Sequence, residues 1–181
     1  SGPRNISTAL MRSWENRSDT VVCDEPLYAH YLNETGLEHA MGVEVIASQP
    51  TDWREVATEL TGANPGGVPV YYQKHMAHHL RPGGGRGWIT ETCNCFLIRE
   101  PKGMLPSLDS KLPMPRLEDT ALPQQVALFQ EILERTGEAP LVIDSREVLE
   151  DPRGVLSALC ERLALPFEEA MLSWPAGKRD T

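Results

Sequence analysis

The sequence predicts an α/β fold of three layers, a mostly parallel central sheet flanked by helices, and three observations predict it. Short β-rich runs alternate with stretches of helical spacing, as right-handed βαβ units require. The β-rich runs end on polar or charged residues, where the ligand edge of a parallel sheet lies. The segment 1–8 reads as a tight loop feeding a helix, a place where such sheets receive anions.

The elements follow in order. Ser7 and Thr8 are placed to cap a helix carrying Leu10, Met11 and Trp14. Thr20–Asp24 is a short β-rich run with a polar end, as in a buried parallel strand. Tyr28–Thr35 reads as a helix stopped by Gly36, and Thr51-Asp52 opens another, Trp53–Leu60, closed by Gly62. Residues 68–72 form a strand leading into Lys74-His75, and 81–87 a glycine-rich loop. Residues 94–98 make a third strand ending on Arg99. The stretch 101–116 is proline-rich, and Pro106 argues against an uninterrupted helix there. Val126, Phe129, Ile132 and Leu133 give 122–135 a helical face. Leu141–Asp144 is a fourth strand, and 155–163 a final long helix.

A chain of 181 residues suffices for one domain with its own core. Acidic residues outnumber basic ones, 26 to 17, for a net charge of −9. That balance argues against nucleic acid or an anionic membrane as partner. No apolar run approaches the ~20 residues of a membrane span, and no charged-then-apolar leader is visible. Four cysteines without metal-ligand spacing read as reduced thiols, which points to the cytoplasm. Because residue 1 already lies inside the loop, the expectation is a single domain over 1–181. It would lack the strand ahead of that loop and its C-terminal end.

The chemistry concentrates in a few places. Gly2, Pro3, Arg4, Asn5, Ile6, Ser7 and Thr8 lead into a helix whose N-terminus offers unpaired N–H groups and a positive dipole end. Arg4 adds fixed charge, and Ser7 and Thr8 add hydroxyls. The spacing G-x-x-x-x-G-K-[ST] is absent, which disfavours an ATPase or GTPase. His75, His78 and His79 suggest a metal, but no Glu stands between them and no third ligand is evident, so none is expected.

Pro3-Arg-Asn-Ile-Ser-Thr-Ala-Leu10 resembles the P-loop of the PAPS-dependent sulfotransferase family, P-K-S-G-T-T-W-L. Arg4 stands where that family has Lys, Ser7-Thr8 where it has Thr-Thr, and Ile6 where it has Gly. Phe96-Leu-Ile-Arg-Glu-Pro101, followed by Ser107, resembles its second signature, a strand-borne Arg with a Ser further along. Residues 142–152, with Leu165-Pro-Phe167, are similar to its late strand, acidic turn, D-P and helix segment. Gly177-Lys178-Arg179 resembles the start of its basic C-terminal loop. The resemblance implies a P-loop three-layer fold and transfer of a sulfuryl group from PAPS to a hydroxyl or amine of a small-molecule acceptor, with no metal. Within it, the loop would hold the 5′-phosphosulfate, Arg99 and Ser107 the 3′-phosphate, and Lys178 and Arg179 would close over the nucleotide.

Arg4 would stabilise the leaving phosphate electrostatically. Glu25, in Asp24-Glu25-Pro26, and His75, after Lys74, compete for the role of general base, with Glu25 slightly favoured. An ion pair between Glu25 and Arg4 is the bland alternative. A small-molecule kinase on the same fold and a non-catalytic binding or scaffold domain are the other functional readings.

Overall fold

The computed structural model describes residues 1–83 and 85–177, so Lys178 and Arg179 lie outside the described residues. Twelve named helices and strands follow in the order that the alternating pattern demands. They are α1 (Ser7–Glu15), β1 (Thr20–Asp24), α2 (Tyr28–Thr35), α3 (Gly42–Ser48), α4 (Trp53–Leu60) and β2 (Val70–Lys74). After them come β3 (Cys95–Ile98), α5 (Pro101–Asp109), α6 (Leu122–Thr136), β4 (Leu141–Asp144), α7 (Ser145–Glu150) and α8 (Pro152–Arg162).

The pairing is parallel throughout. β1 pairs with β2 from Thr20↔Val70 to Asp24↔Lys74, and β3 with β4 from Cys95↔Leu141 to Ile98↔Asp144. Parallel strands need helical crossovers, and their side chains alternate between two covered faces. Leu97 packs in one layer with Leu10, Met11 and Trp14 of α1 and Leu156 and Leu159 of α8. Its neighbour Phe96 packs in the other, with Val56 and Leu60 of α4 and Leu128 and Ile132 of α6. The fold is therefore mixed α/β and helix-rich around short parallel strands.

The strands form two two-stranded sheets rather than one continuous sheet. A cleft of about 710 Å³ runs along β2 and β3, lined also by Leu10, Trp14, Leu128, Ile132 and Leu159 of the covering helices. Next to it, Ser1 bonds to His75 O through its nitrogen (2.9 Å) and accepts from Ala77 N (2.8 Å). Those two bonds are one step of a parallel ladder.

Several local expectations change. Neither Ser7 nor Thr8 caps α1: the cap position falls on Ile6, in the left-handed region at φ 62°, and no side chain bonds to the helix start. β2 runs two residues later than the β-rich run suggested, because its register follows β1. A helix does form across Pro106. Pro101 takes its first turn, where a missing N–H costs nothing, and Pro106 forfeits one intrahelical bond in a helix that ends at Asp109. α3 was not anticipated, and neither was α7, which Asp144 starts by accepting from Arg146 N at 2.8 Å.

Candidate active site

The loop of residues 1–6 is held by its backbone. Arg4 and Ile6 both adopt positive φ, 60° and 62°, conformations that L-residues enter at a cost of order 1–3 kcal/mol. Gly2 sits against α6 and the turn before it: a Cβ there would meet Thr120 O at 2.8 Å and the Gln125 side-chain amide at 2.9 Å. With its amide oriented as its neighbours require, Gln125 donates to Leu97 O (3.1 Å) and accepts from Gly2 N (3.2 Å). Asn5 is buried and donates to the same carbonyl, Leu97 O, at 2.8 Å. The end of β3 thus anchors the loop through two side-chain amides. Gln125 was missed in the sequence; its signal was a polar residue on the apolar face of α6.

Arg4, Arg99 and Ser107 come together. Arg4 Nε donates to Ser107 Oγ at 2.8 Å, and Arg99 Nη1 donates to the Arg4 carbonyl at 2.5 Å. Arg99 leaves the end of β3 and lies over Gly103 of α5, where an added Cβ would stand 3.4 Å from its Nε. Among the described residues, neither arginine pairs with a carboxylate. Two uncompensated guanidinium groups stand beside an uncapped helix start in a chain of net charge −9. That arrangement attracts an anion.

A second cluster forms at the ends of β1 and β2. Lys74, only 6 % exposed, donates to Asp24 Oδ1 and to Glu25 Oε1, both at 2.6 Å. Burial works against its charge, but the bonds from Asp24 and Glu25 outweigh that and hold its pKa above the ordinary lysine value. Glu25 therefore pairs with Lys74, and the expected alternative of a Glu25–Arg4 ion pair does not form. Glu25 also has positive φ, 49°, and its N–H donates to Lys74 O at 2.9 Å.

The two residues read as candidate bases are separated. His75 lies beside Trp88 (ring centroids 5.7 Å apart) and lines the cleft along β2 and β3. Glu25 instead lines a second pocket with His78 and His79. Burial drives the His75 pKa down to about 3, so the ring is neutral. Burial likewise lowers His78 to about 4 and His79 to about 2. Among the described residues, no group of three His, Cys, Asp or Glu side chains is arranged to hold a metal ion, and no helix is long and apolar enough to cross a membrane.

The fold and this loop define an α/β protein with an exposed, uncompensated arginine pair near the carboxyl edge of parallel strands. The chain belongs to the sulfotransferase domain family, whose model matches residues 1–181. Two solved structures share the fold. The sulfotransferase domain of the Synechococcus PCC 7002 olefin synthase has a TM-score of 0.59 and 18 % identity, covering 98 % of this chain and 76 % of that one. The sulfotransferase domain from the curacin biosynthetic pathway has a TM-score of 0.54 and 15 % identity, covering 95 % and 74 %. Two Arabidopsis thaliana proteins, branched-chain-amino-acid aminotransferase-like proteins 2 and 1, are 32 % and 33 % identical over 177 residues, 98 % of this chain. Those residues are 31 % of each relative, so the chain spans about a third of their length.

Proposed function

We propose that this domain transfers a sulfuryl group from PAPS to a hydroxyl or amine of a small-molecule acceptor. The observation that carries the reading is the joining of Arg4, Arg99 and Ser107, from two separate motifs, into one uncompensated cationic cluster at the start of α1. PAPS, when bound, supplies an activated sulfuryl group on its 5′-phosphate. Residues 2–8 hold the phosphate end through backbone N–H groups and the Arg4 guanidinium, with the Ser7 and Thr8 hydroxyls at hand. Arg99 and Ser107 hold the 3′-phosphate, for which a forked donor and a hydroxyl are suited. Arg4, always charged, offsets the negative charge that gathers on the departing phosphate oxygen. Glu25 removes the acceptor proton; Lys74 fixes its orientation. The scheme calls for no metal.

The test is transfer of ³⁵S from labelled PAPS to a panel of alcohols and amines without added Mg²⁺. Transfer that disappears in Arg4→Ala supports the reading. No transfer to any acceptor, by folded protein that binds PAP, would leave a binding domain.

A further inference from the structure

Residues 102–117 form a largely exposed surface that mixes apolar and positive side chains. Met104 and Leu108 are the buried residues of α5, and Leu105 stands on its outer side. Leu112 N donates to Leu108 O at 2.9 Å, so helical backbone carries past Asp109. Leu112 thus lies two turns from Leu105 on the same outer stripe. Beyond it, Met114 is 88 % exposed and adopts φ 53° between Pro113 and Pro115. Its N–H donates to Asp109 Oδ1 at 2.9 Å, and this bond with the two prolines fixes the methionine outward. Leu117, also exposed, ends the surface. Apolar side chains grouped and displayed in this way mark an interaction site.

The charges around them are out of keeping with the rest of the chain. Residues 102–117 hold three cations, Lys102, Lys111 and Arg116, against one anion, Asp109, in a chain of net charge −9. Among the described residues, none of the three makes an ion pair, and the only other lysines or arginines without a carboxylate partner are Arg4, Arg99 and Arg162.

The same chain carries the complement. Residues 37–47 expose Leu37, Met41 (70 %), Val43 (81 %) and Ile46, the last two three apart on one face of α3. They hold two anions, Glu38 and Glu44, and no lysine or arginine. Neither anion is in an ion pair among the described residues. The two surfaces border one pocket. Leu37 and His39 line it together with His78. Burial lowers the His78 pKa, a shift that the nearby Asp119 carboxylate opposes, which puts the end of the first surface on the far rim.

We propose that the two surfaces meet in a twofold dimer of this chain, residues 102–117 of each copy packing against residues 37–47 of the other. Surfaces on either side of one pocket let a twofold axis make both contacts at once, so the pairing closes instead of growing as a filament. Met114 and Leu112 supply the apolar centre. Lys111 and Arg116 meet Glu38 and Glu44 at the rim, where charge selects partner and register more than it adds affinity. A surplus of two positive charges on one surface matches two negative charges on the other, which favours a second copy over an unrelated partner. The pairing is independent of the sulfotransferase reading.

Sedimentation equilibrium on the full 181-residue chain tests it. Between about 1 and 100 µM the mass should rise from the 20.1 kDa of one chain toward twice that value, and no further. Raising salt from about 0.05 to 0.5 M should weaken the association several-fold. Met114→Asp should weaken it at least 10-fold. So should each charge-reversed pair, Lys111→Glu with Arg116→Glu, and Glu38→Lys with Glu44→Lys. All five side chains are exposed, so circular dichroism should show the fold intact in every variant. Mixing the two charge-reversed proteins should restore the dimer, because both contacts then join opposite charges again. A chain that stays monomeric at the highest concentration would overturn the proposal. So would growth beyond the dimer, association indifferent to the reversals, or reversed variants that do not recover on mixing.

Discussion

Arg4 Nε donates to Ser107 Oγ at 2.8 Å, across 103 residues of sequence. This bond ties the loop ahead of α1 to the helix after β3. Arg99 completes the tie by donating to the Arg4 carbonyl. Arg4→Ala and Arg99→Ala should each weaken PAP binding about 10- to 100-fold, the worth of a charge-assisted hydrogen bond. Because neither side chain is in the core, thermal stability should move little. Arg4→Lys should restore only part of the affinity, since lysine keeps the charge and lacks the fork that reaches Ser107 and an anion together. Calorimetry on the three variants checks this.

Gly2 has no room for a methyl group. Gly2→Ala would press a Cβ against a backbone oxygen, Thr120 O, at 2.8 Å and against the Gln125 side-chain amide at 2.9 Å. The expected cost is about 1–3 kcal/mol in urea unfolding, the usual range for overpacking. PAP affinity should fall with it, because the loop shifts.

Ile6 adopts a conformation suited to glycine, φ 62°, while its side chain packs on the core around α1. In Ile6→Gly, relief of about 1 kcal/mol or more of backbone strain opposes the loss of apolar burial. Net stability should change by less than about 1 kcal/mol. A loss near 3 kcal/mol in urea unfolding would show that packing alone decides this position.

Acid should unfold the protein through its histidines. Burial lowers His75 to about 3 and His78 to about 4, whereas in the unfolded chain each titrates near 6.5. Between those limits the unfolded state binds more protons than the folded one. Stability is therefore complete above about pH 6.5 and declines as pH falls toward 4, by up to ~1.4 kcal/mol per pH unit for each histidine. His75→Asn should flatten that slope in a series of melting temperatures from pH 7 to 4.

Much of the fold was legible from local chemistry. Thr20–Asp24 and Leu141–Asp144 are strands with the boundaries their β-rich runs indicate, and Gly36 ends α2 at φ 63°. What the sequence could not carry was register and long-range pairing. β2 starts at Val70 because β1 sets its partner residues, and α5 passes through Pro106 because a short helix tolerates one missing bond. The site divided in the same way. Arg99 stands out as a charged residue after a strand, and Arg4 and Ser107 through the two motifs, but the bonds that join the three were not expected. The Lys74 clamp on Glu25 and the burial of His79 depend on how β1, β2 and α2 pack. No spacing in the chain encodes those distances.

If the arginine cluster beside α1 is the donor site of a sulfotransferase, it should select PAP over other nucleotides. Titration with PAP, alongside ATP and ADP, with and without Mg²⁺, is the decisive measurement. The expected result is selective PAP binding that is independent of Mg²⁺ and lost when Arg4 and Arg99 are both replaced by alanine. Preference for ATP with Mg²⁺, or PAP binding unaffected by losing both arginines, would contradict it.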